Sequence, residues 1–472
     1  MKLPKWAVAL DLLAILAALL AISVVVFGGF RIWMFGARLS VMDATRPAML
    51  SLMALVIRHV TLRRNPLPQH MASSFVAWWR RPDTRLLLPI HVSTRAGVVV
   101  VGFLAVILIG YPPEAMSTRW SLYPDNAFLD LPARWDTGWY LGIATEGYQY
   151  SAEARRDYQQ NIAFFPAFPM LMRFFSPVLG RQPVWTGVAI SLVAFFLALG
   201  YLLRLARMEL GDEDAAITAV TLLATYPFAV FYSVAYTEAL FLLTIAGAVY
   251  HFRREQLVRS ACWGIVAGLT RPNGCFMSIV LGLMAIAPLW GPKGWLPALP
   301  PVMGWPRLSA RIAAAAAPGI GMLIFSAYIY TLTGNAFQWT AQNAAWGREY
   351  RGLDNLVIDR LGFIATNGLY AYASTQTIDF FYLTAVLFVL GSTWPVYKRF
   401  GLPYAVMLLI NVLPPLTAGG LLSMGRVTSV LFPAFLWMGG VLPIQHRTAW
   451  IAFFACLQGF VAAMFFTWRP LY

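Results

Sequence analysis

The chain has 472 residues, of which 59% are hydrophobic and only 12% are charged. A soluble protein carries about a quarter charged residues, so this composition excludes an ordinary soluble domain and predicts a polytopic membrane protein. The net charge of +15 does not indicate nucleic-acid binding, because the basic residues form short clusters beside apolar segments, as in the cytoplasmic loops of membrane proteins. The scattered cysteines Cys262, Cys275 and Cys456 predict neither a disulfide framework nor a metal site.

Apolar segments recur along the whole chain, and most approach the roughly 20 residues that a spanning helix requires. The first run, 6–27, is longer than the roughly 7–15 apolar residues of a signal peptide and lacks a cleavage motif, so we interpret it as an uncleaved span. The pattern predicts an all-α fold with about thirteen spans, at 6–28, 45–61, 90–111, 183–203, 214–232, 235–251, 259–290 in two short halves, 310–332, 379–396, 402–419, 427–443 and 448–467.

The distribution of basic residues predicts the orientation of these spans. One alternating set of connectors contains all four lysines and most of the arginines, and the positive-inside rule places that set in the cytoplasm. The chain would then begin inside and end outside. Two long segments, 112–181 and 333–378, would both be loops on the outer face.

These features divide the chain into two parts. Residues 1–88 are predicted to be an extension with two spans and a basic cytoplasmic linker, and residues 89–472 are predicted to be the main helical core.

The first outer loop is rich in aromatic residues. Its apolar stretch Phe164–Phe175, which includes the motif Phe-Phe-Pro-Ala-Phe-Pro at 164–169, is too short to span and suits a helix in the plane of the interface. It serves either as a membrane anchor or as a platform for a lipid-linked substrate.

The same loop contains Ala-Arg-Trp-Asp-Thr-Gly-Trp-Tyr at 133–140. Asp136 lies between aromatic residues just outside a span, where partial desolvation favours its use as a general base. Arg134, two residues earlier, is a candidate ligand for a phosphate or a partner for the carboxylate. The alternative interpretation is a surface aspartate within a belt of aromatic residues.

A second carboxylate, Glu238 in Tyr-Thr-Glu-Ala-Leu-Phe at 236–241, opens an apolar helix. It is either a carboxylate favoured by the helix dipole or a site residue, because acids at span ends are costly. The motif Arg-Pro-Asn-Gly at 271–274 then breaks an apolar stretch into two halves. Broken helices line cavities and guanidinium binds phosphate bidentately, so Arg271 and Asn273 are candidate substrate ligands. The alternative is a helical hairpin with a snorkelling arginine.

A further arginine, Arg426 in Ser-Met-Gly-Arg at 423–426, opens a span on the same outer face. Asp136, Glu238, Arg271 and Arg426 should therefore share one height and form a site for a phosphate-bearing substrate. In the second loop, a group of mostly polar residues has a spacing that fits one face of a helix, and we interpret this face as the exposed side of an amphipathic surface helix. The residues of this group are Gln338, Gln342, Asn343, Trp346, Gly347, Arg348 and Glu349.

Taken in order, the motifs at 133–140, 164–169, 236–241, 271–274 and 423–426 resemble those of the PIG-V family, the second GPI mannosyltransferase and its bacterial homologues, within the GT-C class of membrane glycosyltransferases. This resemblance covers roughly residues 110–440. It implies a GT-C-like helix bundle, a donor sugar, usually mannose, on polyprenyl or dolichyl phosphate, and inverting transfer on the non-cytoplasmic face. It also implies that Asp136 is the catalytic aspartate and that Arg271 and Arg426 lie near the lipid phosphate.

We therefore predict a mannosyltransferase-like enzyme without metal or cofactor, whose partners are the lipid-linked donor, an acceptor lipid, glycan or protein, and the bilayer. The alanine- and arginine-rich composition predicts a bacterial inner membrane, and the two additional N-terminal spans depart from the eukaryotic pattern and leave the acceptor open. A secondary transporter is the first alternative, although it should show inverted repeats and acids within spans. A non-catalytic subunit for lipid handling or assembly is the second.

Overall fold

The computed structural model describes residues 4–27, 29–34, 37–61, 73, 75–117, 119–153, 158–287, 304–350, 352–469 and 471. Residues 62–72 of the predicted basic linker and residues 288–290 of the predicted span at 259–290 lie outside the described residues.

The N-terminal region is a helical hairpin with a small sheet at its turn. Helix α1 (Lys5–Phe27) and helix α2 (Thr45–Thr61) flank the antiparallel strands β1 (Phe30–Met34) and β2 (Ala37–Val41). A buried ion pair joins the two helices, since Arg58 Nε donates to Asp11 Oδ1 at 2.8 Å. The strands were not predicted, and within the described residues they are the departure from the all-α prediction.

The rest of the described chain is helical, and short 3-10 segments connect several of its helices. The further α-helices are α3 (Pro82–Leu108), α4 (Thr137–Thr145), α5 (Ala167–Phe175), α6 (Pro183–Leu210), α7 (Glu213–Thr225), α8 (Glu238–Arg253), α9 (Leu257–Thr270), α10 (Met277–Ile286), α11 (Trp305–Thr333), α12 (Gln338–Gln342), α13 (Leu353–Thr375), α14 (Thr377–Phe400), α15 (Leu402–Gly419), α16 (Met424–Ser429), α17 (Phe432–Val441) and α18 (Ile444–Phe466).

Six of the described helices are long and apolar enough to cross a bilayer, or seven spans if the bent pair Glu213–Thr225 and Pro227–Ser233 counts as one. The six are α3, α6, α11, α14, α15 and α18. Four further apolar helices of 10–17 residues lie at Ala9–Val25, Leu257–Thr270, Pro272–Ile286 and Phe432–Val441. The protein is thus an integral, multi-pass, predominantly α-helical membrane protein, while the predicted number of thirteen spans is not confirmed.

The core lies around α6, α7 and α8. Every residue of α8 from Glu238 to Phe252 is buried, which fits its sequence, because a helix that is apolar on all sides has no face suited to water. Helix α6 packs along α8, α9 packs on α11, and α3 packs on α18. Glu238, at the first turn of α8, therefore enters the centre of the protein rather than its surface.

The first break in the helical core precedes this glutamate. Helix α7 and the 3-10 segment Pro227–Ser233 meet at an angle of 77°, because Pro227 has no N–H to continue the helix. Two buried polar side chains satisfy the freed carbonyls: Arg95 Nη2 donates to Ala224 O at 2.6 Å, and Gln458 Nε2 donates to the carbonyls of Ala224 and Tyr226, each at 3.0 Å. The break is therefore stabilised by side chains of neighbouring helices.

The second break is the Arg-Pro-Asn-Gly motif. Helix α9 ends at Thr270, Arg271 is extended (φ −151°, ψ 154°), and the 3-10 segment Pro272–Phe276 leads into α10. The extended backbone follows from the proline, which disfavours a helical conformation at the preceding residue. Gly274 is required because a Cβ there would overlap the carbonyl oxygen of Ala267. The motif thus turns the chain tightly and presents Arg271 at the turn.

The second outer segment, predicted as a loop at 333–378, is largely helical. It contains α12, the 3-10 segment Asn343–Trp346 and the 23-residue helix α13, which is kinked at Gly368 (φ 86°). Only Tyr372 of α13 is buried. Its apolar positions Leu353, Val357 and Leu361 follow helical spacing but are exposed, and no long apolar run marks the helix in the sequence.

Candidate active site

Asp136 stands at the amino end of α4, the short helix of the first outer loop. The preceding residue, Trp135, has a left-handed backbone (φ 46°), a conformation that costs free energy in a residue with a side chain. The Asp136 N–H donates to the Tyr236 hydroxyl at 3.1 Å, which ties the loop to the segment before α8. The Asp136 side chain is 21% exposed, so the carboxylate is held by the core and open on one side.

A buried carboxylate and two arginines lie directly beside Asp136. The Glu238 side chain has no solvent exposure, and its Oε1 accepts from Arg271 Nη1 and from Arg426 Nε, each at 2.7 Å. Arg426 also donates through Nη1 to Asp136 Oδ2. Arg426 therefore bridges the two carboxylates, and the four side chains predicted to share one height form one ion-pair cluster.

The local structure explains why Arg426 reaches this position. Ser423 is left-handed (φ 59°) and starts the short helix α16. At Gly425 a Cβ would overlap the ring of Phe228, so the glycine lets α16 pack against the first break. The Arg426 guanidinium lies over the ring of Tyr236, 4.6 Å from its centroid, an arrangement that attracts a cation to the aromatic face.

A cavity of about 530 Å³ opens next to the cluster, and both long outer segments line it. Phe164 and Trp346 form part of its wall, and Trp139 stacks on Phe164 with ring centroids 5.8 Å apart. The cavity also meets Tyr140, whose pKa burial raises to about 12, so this phenol stays protonated at neutral pH. Aromatic faces and neutral donors of this kind suit a polar ligand that carries an apolar or ring portion.

Asn273 lies at the same cavity. Its Nδ2 donates to Asn411 Oδ1 at 2.8 Å, and Asn411 in turn donates to Met407 O at 2.8 Å. The amide is therefore fixed in orientation at the wall of the cavity. The structure brings together five of the six predicted site residues: Asp136, Glu238, Arg271, Asn273 and Arg426.

Arg134 does not join them, which corrects its predicted role. It is fully buried on the other side of the strained Trp135 backbone. Its nitrogens donate to Phe466 O (Nε, 2.8 Å), to Asp130 O (Nη1, 2.8 Å) and to the Tyr111 hydroxyl (Nη2, 3.0 Å). This arginine fastens the outer loop to the end of α18, and its geometry does not support a phosphate contact.

Arg348 is a residue that the sequence interpretation missed. It was taken as part of an amphipathic surface, but its side chain lines the cavity beside Arg271 and Arg426. Spacing alone could not reveal this, because the 3-10 segment Asn343–Trp346 and the left-handed Gly347 (φ 71°) redirect the chain just before it. The segment holds two further arginines in its sequence, Arg351 and Arg360, so no sequence signal singles out Arg348.

The fold and the site together define a class: a multi-pass membrane protein with a carboxylate–guanidinium cluster at a half-open cavity. Part of the chain is similar to a known family. Residues 112–286 match the family model described as Mannosyltransferase (PIG-V). The matched range includes Asp136, Glu238 and Arg271, and the resemblance predicted from the motifs is therefore confirmed.

A curated relative supports the same family. The chain is 26% identical over 216 residues to GPI alpha-1,6-mannosyltransferase 2 of Rattus norvegicus, an alignment that covers 44% of this chain and 42% of the relative. The chain thus spans about two-fifths of the length of that relative.

Two solved structures are also similar. One is ArnT from Cupriavidus metallidurans bound to undecaprenyl phosphate, with a TM-score of 0.41 and 12% identity over 80% of this chain and 75% of that chain. The other is the archaeal oligosaccharyltransferase AglB from Archaeoglobus fulgidus in complex with an inhibitory peptide and a dolichol-phosphate. It has a TM-score of 0.37 and 13% identity over 81% of this chain and 56% of that chain.

Proposed function

We propose that this protein is a GT-C-class glycosyltransferase that moves a sugar, mannose, from polyprenyl phosphate to an acceptor hydroxyl on the outer face of a bacterial inner membrane, with inversion. The observation that carries the proposal is the cluster in which Arg426 bridges Asp136 and Glu238 while Arg271 shares the Glu238 carboxylate. It places a partly exposed carboxylate beside guanidiniums that line the cavity.

The chemistry follows from these groups. The acceptor oxygen attacks the anomeric carbon, the bond between that carbon and the phosphate oxygen breaks, and Asp136 takes the hydroxyl proton. Asp136 Oδ2 is held by Arg426, and Oδ1 has no partner among the described residues. The attack from the face opposite the phosphate inverts the anomeric centre. General-base assistance of this kind contributes about 10²–10⁴-fold to rate.

The arginines stabilise the leaving group. As the bond breaks, the phosphate gains a second negative charge, and preorganised donors at the place where charge develops are a large source of acceleration. Arg271 uses only Nη1 on Glu238 within the described structure and faces the cavity, so its remaining N–H groups are available to the phosphate. Glu238 in this scheme positions Arg271 and Arg426 and does not touch the sugar.

The apolar surroundings suit the rest of the substrates. The cavity lies between aromatic side chains of the outer loops and the ends of membrane helices, where a lipid chain can remain in the bilayer while its phosphate reaches the arginines.

The proposal is tested with Asp136→Asn in membrane vesicles supplied with polyprenyl-phosphate mannose and a cell-derived acceptor fraction. We expect transfer to fall by at least about 100-fold, since the amide cannot take a proton. Glu146→Gln is the matched control, because Glu146 is a carboxylate of the same loop whose Oε2 contacts only Gln149 among the described residues. Wild-type transfer by correctly inserted Asp136→Asn protein would refute the base assignment.

A further inference from the structure

Within the described part of the chain, three arginines line the cavity and two carboxylates pair with two of them, so the five charges do not cancel. Asp136 and Glu238 provide two negative charges, and Arg271, Arg426 and Arg348 provide three positive ones. Arg271 and Arg426 are both paired with carboxylates in the described structure. The excess positive charge therefore belongs to Arg348.

Within the described part of the chain the Arg348 guanidinium makes no ion pair or hydrogen bond, although Asp136 lies near enough to favour its charge. The described hydrogen bond of this residue runs from its backbone N–H to Asn343 O at 3.3 Å. The stem of the side chain lies against the end of α15, where Gly419 leaves room: a Cβ at Gly419 would approach Arg348 Cγ to 3.3 Å. Arg348 is thus held in place by packing while its charged end is unmatched.

The surroundings make that charge costly. Burial, together with the neighbouring Arg426 and Arg271, lowers the pKa of Arg348 to about 10, and Asp136 offsets only part of this effect. The guanidinium is therefore still charged at neutral pH, but its partial desolvation beside two other cations costs free energy. An anion in the cavity is the simplest group that can do so, and guanidinium is suited to phosphate oxygens.

We propose that Arg348 is a phosphate-binding residue, the ligand that the second outer segment contributes to the lipid-phosphate group of the donor. This inference rests on the proposed function, and it adds to it a residue from outside the range that matches the family.

The charges of the five described side chains fit a lipid phosphate in both states of the reaction. Before transfer they carry a net charge of +1, which balances the one negative charge of a phosphodiester that joins lipid and sugar. After transfer, Asp136 holds the acceptor proton and the five side chains carry +2, which balances the dianionic lipid phosphate that leaves. Without Arg348 they would be one positive charge short in each state.

The test measures binding of undecaprenyl phosphate and of uncharged undecaprenol to the full-length protein in nanodiscs. We expect Arg348→Gln to weaken binding of the phosphate by about tenfold or more, since a hydrogen bond to a charged group contributes roughly 1.5–3 kcal/mol. Binding of undecaprenol should not change. Arg348→Lys should restore part of the affinity. Arg119→Gln is the matched control, because Arg119 lies in the other outer segment, 4.4 Å from the centroid of the Tyr111 ring.

A second variant tests the position of the residue without removing its charge. Gly419→Val should push the Arg348 stem from its place and weaken phosphate binding, whereas Gly200→Ala, which has open space around the added carbon, should not. The melting temperature of each protein identifies variants that lose binding through misfolding.

The outcomes separate this inference from the proposed function. If Arg271→Gln weakens phosphate binding but Arg348→Gln does not, Arg348 is not a ligand and the lipid-phosphate site survives without it. If the wild-type protein binds undecaprenyl phosphate no better than undecaprenol, both the inference and the proposed donor are wrong.

Discussion

Arg426 holds the site together because its planar guanidinium presents donors in a fixed fork. Nε contacts Glu238 and Nη1 contacts Asp136, while the ring of Tyr236 supports the face of the group. A lysine has a compact ammonium on a flexible stem and cannot reproduce this bridge. The position of the proposed base is therefore set by a residue 290 positions away in the chain.

At the residue scale, the clearest prediction concerns Glu238→Gln. The side chain is fully buried between Arg271 and Arg426, so loss of its charge leaves two guanidiniums with only Asp136 to offset them. Breaking a buried pair costs about 3–5 kcal/mol. We expect a lower melting temperature. For the protein that remains folded, we expect turnover to fall by at least about tenfold, because loss of one hydrogen bond to a charged group has an effect of that size.

The control is Glu209→Gln. Glu209 is also a buried carboxylate, 5% exposed and paired with Arg253 at 3.1 Å, but it lies at the opposite end of α6 from the cavity. This variant should melt earlier and keep its turnover per folded molecule. Equal turnover in the two variants would show that Glu238 is only a structural residue.

The sequence predicted this site in part. Asp136, Glu238, Arg271 and Arg426 could be placed together because each lies at the end of an apolar segment on one face. Arg134 could not be excluded from the site, because closeness in the chain does not determine where a side chain points. The left-handed backbone of Trp135 separates the side chains of Arg134 and Asp136. Arg348 depended on the path of a loop, which hydrophobic patterning does not determine.

At the scale of elements, two breaks in otherwise apolar helices place the site. The break at Tyr226–Pro227 is stabilised by Arg95 and Gln458 and positions the start of α8. The break at Arg271–Pro272 supplies the arginine itself. A proline marks both breaks in the sequence, and the break at Arg271–Pro272 was predicted. The buried side chains that stabilise the break at Tyr226–Pro227 come from α3 and α18, and only the structure reveals them.

Close helix packing keeps the second break in position. Helices α9 and α11 cross where Gly264 and Gly268 face Pro318, and a Cβ at Gly268 would overlap the Pro318 carbonyl oxygen. Glycines spaced four apart allow this approach between membrane helices.

We predict that Gly268→Ala separates α9 from α11 and lowers the melting temperature, because overpacking costs about 1–3 kcal/mol. Gly282→Ala on α10 is the control. It has open space around the added carbon, so it should be neutral or slightly stabilising, as alanine favours helix over glycine. Thermal unfolding of the purified variants in one detergent measures both, and equal melting temperatures would contradict the packing described.

The elements that sequence patterning missed have a common cause. The hairpin of β1 and β2 is only ten strand residues, and α13 buries a single side chain. Both lack the long apolar runs from which membrane helices are inferred. The long spans, by contrast, were found, although some of their ends differ by seven or eight residues: α6, predicted at 183–203, is observed at Pro183–Leu210, and α3, predicted at 90–111, is observed at Pro82–Leu108.

At the scale of the whole molecule, the account requires that both long outer segments and the cavity lie on the non-cytoplasmic face. The two segments meet at the cavity, so they share a side, and the positive-inside rule assigns which side that is. Helix α11, with 29 residues, is about 43 Å long and can connect the two faces.

Cysteine labelling tests this orientation. In a background without the three native cysteines, we expect Tyr350→Cys to react with a membrane-impermeant maleimide in intact cells. Tyr350 is 83% exposed in the second outer segment. Trp305→Cys, at the opposite end of α11 and 76% exposed in the wild type, should react only after the cells are permeabilised. The reverse pattern would place the site in the cytoplasm and refute the proposed donor face.

The central claim is that the donor is a sugar on a single lipid phosphate. The most direct measurement is donor consumption by the purified protein in liposomes, with radiolabelled polyprenyl-phosphate mannose compared with a nucleotide-linked mannose. We expect label to leave the lipid-linked donor only, free polyprenyl phosphate to appear in equal amount, and Asp136→Asn to lower both by at least about 100-fold. Transfer from the nucleotide sugar, or lipid-linked donor left intact in the presence of the cell-derived acceptor fraction, would contradict the claim.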